Sequence, residues 1–263
     1  MSNDKFNDLS TYIDFLDRIG DLRRITTEVD PVLEITEITC KTIEGNGPAL
    51  IFENVKGSEH PVATNLFGSE ERLKLALGCD PKKLGEEILF FAEKVMPPKI
   101  DNIFNSLPFI KRITNFRSKS SFFSAPCQQI EDKSDLTTLP ILKCWPEDGG
   151  KFITMGLTIT QSPKNFKRNM GMYRLQMHDA NTLGMHWHPH KGGASHYHEA
   201  SQMGADFPAA VILGGDPSLI FASIAPLPEN IDELLFSAFL KKKPIELTKA
   251  KTSNLRIPAN AEF

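Results

Sequence analysis

The sequence predicts an α/β unit followed by a β-rich unit, a compact barrel or sandwich. Three observations carry that expectation. Helical and strand-like apolar patterns alternate over the first hundred residues. Short apolar runs then crowd the stretch beyond Gly150, and a proline- and glycine-rich segment separates the two patterns. The expected division is therefore 1–100, an irregular crossing segment over 101–150, and 151–263.

In the first unit Leu9, Ile13 and Leu16 share one helical face, and Gly20 is a plausible stop. Leu22–Val29 reads as a strand and Glu34–Ile43 as a short helix. The apolar runs Ala49–Val55 and Val62–Phe67 follow, each bounded by turn residues. Ser69 can cap a helix through Leu77, and Pro81 sits where a first helical turn accepts proline. Pro97–Pro98 breaks the pattern, and Pro108, Pro126, Pro140, Pro146 and Gly149–Gly150 mark the crossing segment. Beyond it the strands expected are Phe152–Thr160, Met172–His178, Leu183–His188, Ala209–Leu213, Leu219–Ser223 and Ile245–Thr248, with one helix at Ile231–Leu240. Strands this close together favour a barrel or sandwich. Leu255–Ala259 reads as a strand or turn entry.

Composition excludes several function classes. The 263 residues can bury a real core, and a formal charge of -3 gives no electrostatic case for gripping nucleic acid. No apolar window approaches the roughly eighteen residues of a membrane span. Cys40, Cys79, Cys127 and Cys144 are scattered without CxxC spacing, so reduced thiols in a cytoplasmic protein are the default reading. The polar start, Met1–Asp8, is unlike a secretory signal.

Chemistry concentrates late in the chain. Six of the seven histidines lie between His178 and His198. On a strand, His186, His188 and His190 would emerge on one face, either as a metal or phosphate site or as an incidental solvated edge. Upstream, Asn169–Arg174 holds a glycine that lets backbone approach a ligand, and Arg174 offers a planar fork for carboxylate or phosphate, or for a surface ion pair. Downstream, Lys191-Gly192-Gly193-Ala194 places a cation and exposed amides where a phosphate could sit, and also reads as an ordinary turn. Glu233 opens a helix, where a carboxylate is favoured in any case.

The run Asn169–Arg174, with its Asn-x-Gly-x-Tyr-Arg core, followed by His186–Ala194, resembles the flavin-binding segment of UbiD-family decarboxylases. Leu33–Ile38, Gly47–Asn54, Ala125–Gln129 and Cys144–Asp148 resemble the same family in the same order. The resemblance implies an α/β N-terminal domain and a split β-barrel flavin-binding domain. It implies decarboxylation of an aromatic acid in quinone biosynthesis, using prenylated flavin mononucleotide (prFMN) and Mn2+. The metal would be held by Asn169, His190 and Glu233, and the flavin by Met172, Tyr173, Arg174, His186, Trp187, His188, Lys191 and Gly192, with Arg174 also catalytic. An amide, an imidazole and a carboxylate suit six-coordinate Mn2+ better than structural zinc.

The implied partners are an aromatic carboxylic acid, a flavin prenyltransferase that supplies the cofactor, further copies of the chain, and the inner face of the cell membrane. Where the ubiquinone-pathway members carry Arg-Trp-Leu, this chain has His186-Trp187-His188, a version similar to members linked to menaquinone synthesis. The family's acidic Pro-Glu-Gly-Pro segment and C-terminal domain follow the point where this sequence stops. The expectation is that residues 1–263 alone do not decarboxylate. Two other readings stay open: a cupin-like metal oxygenase using His186, His188 and Glu199, and a flavin-binding subunit without activity.

Overall fold

The structure, a computed structural model, describes residues 6–86, 89, 118–120, 125–131, 135–227 and 231–263. The break expected at Pro97–Pro98 and much of the crossing segment lie outside the described residues.

Helix α1 (Leu9–Arg18) starts at Asp8, whose carboxylate accepts the Thr11 N–H in a reciprocal capping box. It buries Tyr12 and Leu16 completely, and the Tyr12 hydroxyl donates to the carbonyls of Leu66 or Arg72, each 3.0 Å away. Strand β1 (Leu22–Ile25) pairs parallel with β2 (Ala49–Phe52), and β3 (Val62–Thr64) pairs antiparallel with β2. Helix α2 (Glu34–Glu44) makes the crossover between the parallel pair, as such a pair requires. Alternation along β2 divides the core. Ala49 packs with Tyr12, Leu16 and Ala76 of α3 (Glu70–Leu77), whereas Leu50 and Phe52 pack with Ile35 of α2. Ser69 caps α3 through the Arg72 N–H, as expected. The strand expected over Leu22–Val29 ends at Ile25, and Val29 retains only an isolated bridge to Val55.

A two-residue strand β4 (Lys119–Ser120) precedes the second unit. There, two ten-residue strands, β5 (Phe152–Gln161) and β6 (Arg168–Met177), form an antiparallel pair. With β7 (Leu183–Met185) and β8 (Ala209–Ile212) they give a curled four-stranded sheet ordered β7-β6-β5-β8. One face carries Leu157, Ile159, Met170 and Ile212, packed on Leu219, Ile220 and Ala222 of α5 (Pro217–Ile224) and on Leu234 and Ala238 of α6 (Glu233–Lys241). The other face is covered by α4 (Gly192–Met203). Coverage on both sides explains why β5 is buried at five consecutive positions instead of alternating. A second sheet, β10-β9-β4, adds β9 (Glu246–Lys249) and β10 (Arg256–Pro258). The two units meet where Phe67 packs edge-on against Phe221, with ring centroids 5.2 Å apart.

Three sequence expectations are corrected. Leu219–Ser223 belongs to a helix, not a strand: Asp216 caps it through the Ser218 N–H, and Pro217 fills its first turn. A short apolar run buried on all sides has no period to reveal this. Lys191–Ala194 is not a turn but the start of α4. The histidine strand ends at Met185, one residue before the trio, so His186, His188 and His190 do not line one strand face. Pro189, which has no N–H to give a ladder, sits in the middle of that stretch.

Candidate functional site

Strand β6 begins at Arg168, so Asn169 and Tyr173 lie four residues apart on the face covered by α4. Asn169 pairs in register with Thr160 of β5. Strand β7 reaches only Leu175–Met177, leaving the early edge of β6 without a neighbouring strand. There the N–H of Met170 donates to Glu233 Oε2 at 3.1 Å. Glu233 is placed by the cap of α6: Asp232 accepts the N–H of Leu234 at 2.8 Å and is ion-paired with Arg168. Burial raises the Glu233 carboxyl above its ordinary value, because desolvation penalises the anion more than the Met170 N–H and the nearby Arg168 charge favour it.

Helix α4 points its N-terminus at the same place. Its cap residue, Lys191, gives no side-chain cap, so the first amides are left for another acceptor. One is taken: the buried Gly193 N–H donates to Tyr173 Oη at 3.0 Å. Burial raises the Tyr173 phenol, and the Glu233 charge adds to this, which ties α6 to the same cluster. The two glycines permit the approach. A side chain at Gly192 would run into Asn169 Oδ1, and one at Gly193 would meet the Trp187 ring and come within 2.7 Å of Tyr173 Oη. Asn169 Nδ2 is buried without a partner at ordinary hydrogen-bond geometry, although the amide lies near enough to the Tyr173 hydroxyl to favour its ionised form. Below it, Thr160 Oγ1 and His196 Nδ1 lie 3.0 Å apart, and burial holds the His196 pKa below its ordinary value.

The predicted residues thus divide into groups. Asn169, Tyr173, Trp187, Gly192 and Glu233 are brought together, the Trp187 ring standing edge-on to Tyr173 at 5.0 Å. His186, His188 and His190 are exposed, with the rings of His188 and His190 5.9 Å apart, and Lys191 is exposed beside them. Among the described residues His190 makes no hydrogen bond to Asn169 or Glu233, although it stands two residues before Gly192. Among the described residues no three His, Cys, Asp or Glu side chains gather as a metal site. The alternative set His186, His188 and Glu199 is likewise not gathered, and Glu199 accepts from Ser162 Oγ instead. Met172 packs against the α5/α6 core on the opposite face of β6. Arg174 also alternates away from Tyr173, bonds Asp148 and lies 3.8 Å over the Phe152 ring.

Three neighbours escaped the sequence reading of the site: Thr160, His196 and Asp148. The Gly193 amide, expected to be open to a phosphate, is taken by Tyr173. Asp148 stood inside a quoted motif without a role, and His196 was counted only as part of the histidine cluster. Thr160 gave no signal at all.

Comparisons with known proteins identify the family and the fold. Residues 13–91 match the family model described as the 3-octaprenyl-4-hydroxybenzoate carboxy-lyase N-terminal domain of UbiD. Residues 119–263 match that described as the 3-octaprenyl-4-hydroxybenzoate carboxy-lyase Rift-related domain. An evolved dimeric form of the UbiD-class enzyme HmfF from Pelotomaculum thermopropionicum, in complex with prFMN, is similar with a TM-score of 0.81 and 28% identity, over 97% of this chain and 56% of that chain. Vanillic acid decarboxylase from Sedimentibacter hydroxybenzoicus in closed form gives 0.80 and 25%, over 98% and 54%. The fold of apo 3,4-dihydroxybenzoic acid decarboxylase from Enterobacter cloacae is also shared, at 0.77 and 23%, over 98% and 53%. The chain therefore spans about half the length of the solved structures it matches. No described helix is long and apolar enough to cross a membrane.

Proposed function

The chain belongs to the UbiD family, and from that premise we propose that it carries the flavin-holding part of a prFMN-dependent decarboxylase acting on an aromatic acid of quinone synthesis. One observation carries the reading: the uncapped N-terminus of α4, the orphaned Asn169 amide and the half-buried Glu233 carboxylate meet at one edge of β6.

The residues present fit both groups. A phosphate suits the first amides of a helix with Lys191 beside them. A divalent cation suits Asn169 and Glu233, with His190 as the third ligand from the adjoining loop. A cation there would also offset the desolvation of the half-buried Glu233 carboxylate. When bound, prFMN supplies the electron sink that cleavage of a carbon–carbon bond needs and that no side chain offers.

The chain's own residues position and shield. Tyr173 and Trp187 pack edge to face beside the helix terminus and shield the buried Gly193 amide there. Arg174 presents a guanidinium to the substrate carboxylate, where a planar fork favours a planar acid. Two other carboxylates are committed elsewhere: Glu262 Oε1 accepts from the N–H and hydroxyl of Ser10 at 3.0 Å, and Glu199 accepts from Ser162. The His186-Trp187-His188 variation next to the wall leaves ubiquinone and menaquinone precursors both within the proposal. A flavin prenyltransferase as cofactor source, assembly of several copies and contact with the membrane surface are further parts of it.

The test is co-production with a flavin prenyltransferase, followed by native mass spectrometry and ligand titration. The expected result is bound prFMN with one Mn2+, and affinity for aromatic but not aliphatic carboxylic acids. A protein that holds no flavin, or that binds aliphatic acids alone, would overturn the reading.

A further inference from the structure

The Cys144–Asp148 segment has so far been given no role, yet it ends on the residue that holds Arg174. Arg174 NH2 lies 2.9 Å from both Asp148 oxygens, and its guanidinium stacks 3.8 Å over the Phe152 ring. Asp148 is the shielded partner, 12% exposed against 44% for Arg174. It is itself fixed, since its Oδ2 accepts the Trp145 N–H at 3.2 Å and closes the turn. The turn is anchored twice more. Gln176 of β6 donates to the Gly149 carbonyl at 3.0 Å, and on the other side Lys143 exchanges backbone hydrogen bonds with Pro31 and Leu33 at 3.2 and 2.9 Å. The segment thus ties Arg174 to the chain entering α2 of the N-terminal unit.

We propose that Asp148, together with Phe152, is a positioning residue that sets the orientation of Arg174 toward an incoming carboxylate. The chemistry follows from the donor inventory. A guanidinium has five N–H groups in a rigid fork, and Asp148 engages only the NH2 end. Among the described residues no other acceptor bonds Arg174, so Nε–H and NH1 stay available. A free arginine on a strand samples many rotamers and loses that freedom on binding. One pinned at NH2 and stacked on an aromatic face has lost it beforehand. The ion pair also lowers the net charge offered to solvent, which favours a ligand that can displace water at the remaining donors over loose counter-ions.

The use made of Arg174 rests on the proposed function, but the clamp itself does not, and two measurements separate them. The first is the Arg174 Nε–Hε cross-peak in proton–nitrogen spectra, assigned by its loss in Arg174→Lys. Asp148→Asn, which keeps one acceptor and removes the charge, should shift this peak and speed its exchange with water. An unchanged peak overturns the clamp. The second is titration of the FMN-loaded chain with benzoate. Affinity should fall in the order wild type, Asp148→Asn, Asp148→Ala, with the last weaker by about tenfold, roughly what loss of one charged hydrogen bond costs, and with equal FMN affinity in all three. Parallel loss of FMN and benzoate, or equal benzoate affinity in all three, overturns the positioning role. Should Arg174→Lys bind benzoate as wild type does while the cross-peak still shifts, the clamp stands and the carboxylate role of Arg174 fails.

Discussion

The N-terminal turn of α4 and the loop that leads into it share the cofactor contacts implied by the sequence, yet they are built differently. At the helix terminus Gly192 and Gly193 are pressed against Asn169, Tyr173 and Trp187, and the buried Gly193 N–H has its acceptor. In the loop the three histidines and Pro189 are exposed, and the chain is fixed chiefly by backbone bonds, His186 N–H to Arg174 and Lys191 N–H to His188. Trp187 is the exception, its ring folded back onto Tyr173 and Phe207. The contrast teaches that the helix terminus is held by packing, whereas the imidazoles of the loop are not gathered by any protein contact among the described residues. Preformed groups lose little entropy on binding, and loop groups lose more.

Substitutions can break or sharpen this contrast. The largest effect is expected from Gly193→Ala, because its methyl would need to displace Trp187 and Tyr173. Overpacking of this kind costs about 1–3 kcal/mol, to be read as a lowered midpoint in urea unfolding with unchanged slope. Tyr173→Phe should cost somewhat less, about 1 kcal/mol or more, since it strands the buried Gly193 N–H. The same unfolding assay checks it, and no loss would show that water replaces the hydroxyl there.

A smaller effect, visible only in its pH dependence, is expected at His196. Burial lowers its pKa, so the unfolded chain takes up a proton near pH 6.5 while the folded one does so only at lower pH. Stability is therefore full above about pH 6.5 and falls as the pH drops through the window below it. Glu233, pushed up by burial, acts with the opposite sign near the carboxylate range. His196→Asn should flatten the histidine slope while keeping a partner for Thr160, and an unaltered slope would place the loss elsewhere. Smallest of all, His188→Ala in the exposed loop should move stability by no more than about 0.5 kcal/mol. A larger loss would mean that the loop is packed as tightly as the helix terminus.

The same contrast explains what the sequence could reveal. Local signals were legible: the Ser69 cap, the period of α1 and the apolar run of β2 each depend on neighbours a few residues away. An element buried on every side was not, which is why Leu219–Ser223 read as a strand, and the paired glycines at the start of α4 made Lys191–Ala194 read as a turn. In the site, Asn169, Tyr173 and Gly192 were found through order-preserving motifs, and their convergence is real in space. His196 and Thr160 were missed because their pairing joins β5 to α4 across 36 residues, and nothing in either neighbourhood announces it. The expected strand face of three histidines failed because strand β7 stops at Met185, and alternation in sequence says nothing about where a strand ends.

The central claim is that Glu233, Asn169 and the start of α4 form one metal and phosphate site. Glu233→Gln tests it most directly, since the amide keeps an acceptor for the Met170 N–H and removes only the charge. Calorimetric titration of wild type and variant with Mn2+, and with FMN in the presence of Mn2+, reads both ligands. The account predicts that the two affinities fall together, by about tenfold or more, as losses of metal-site interactions do. Equal FMN affinity in the two proteins, with Mn2+ present, would contradict it.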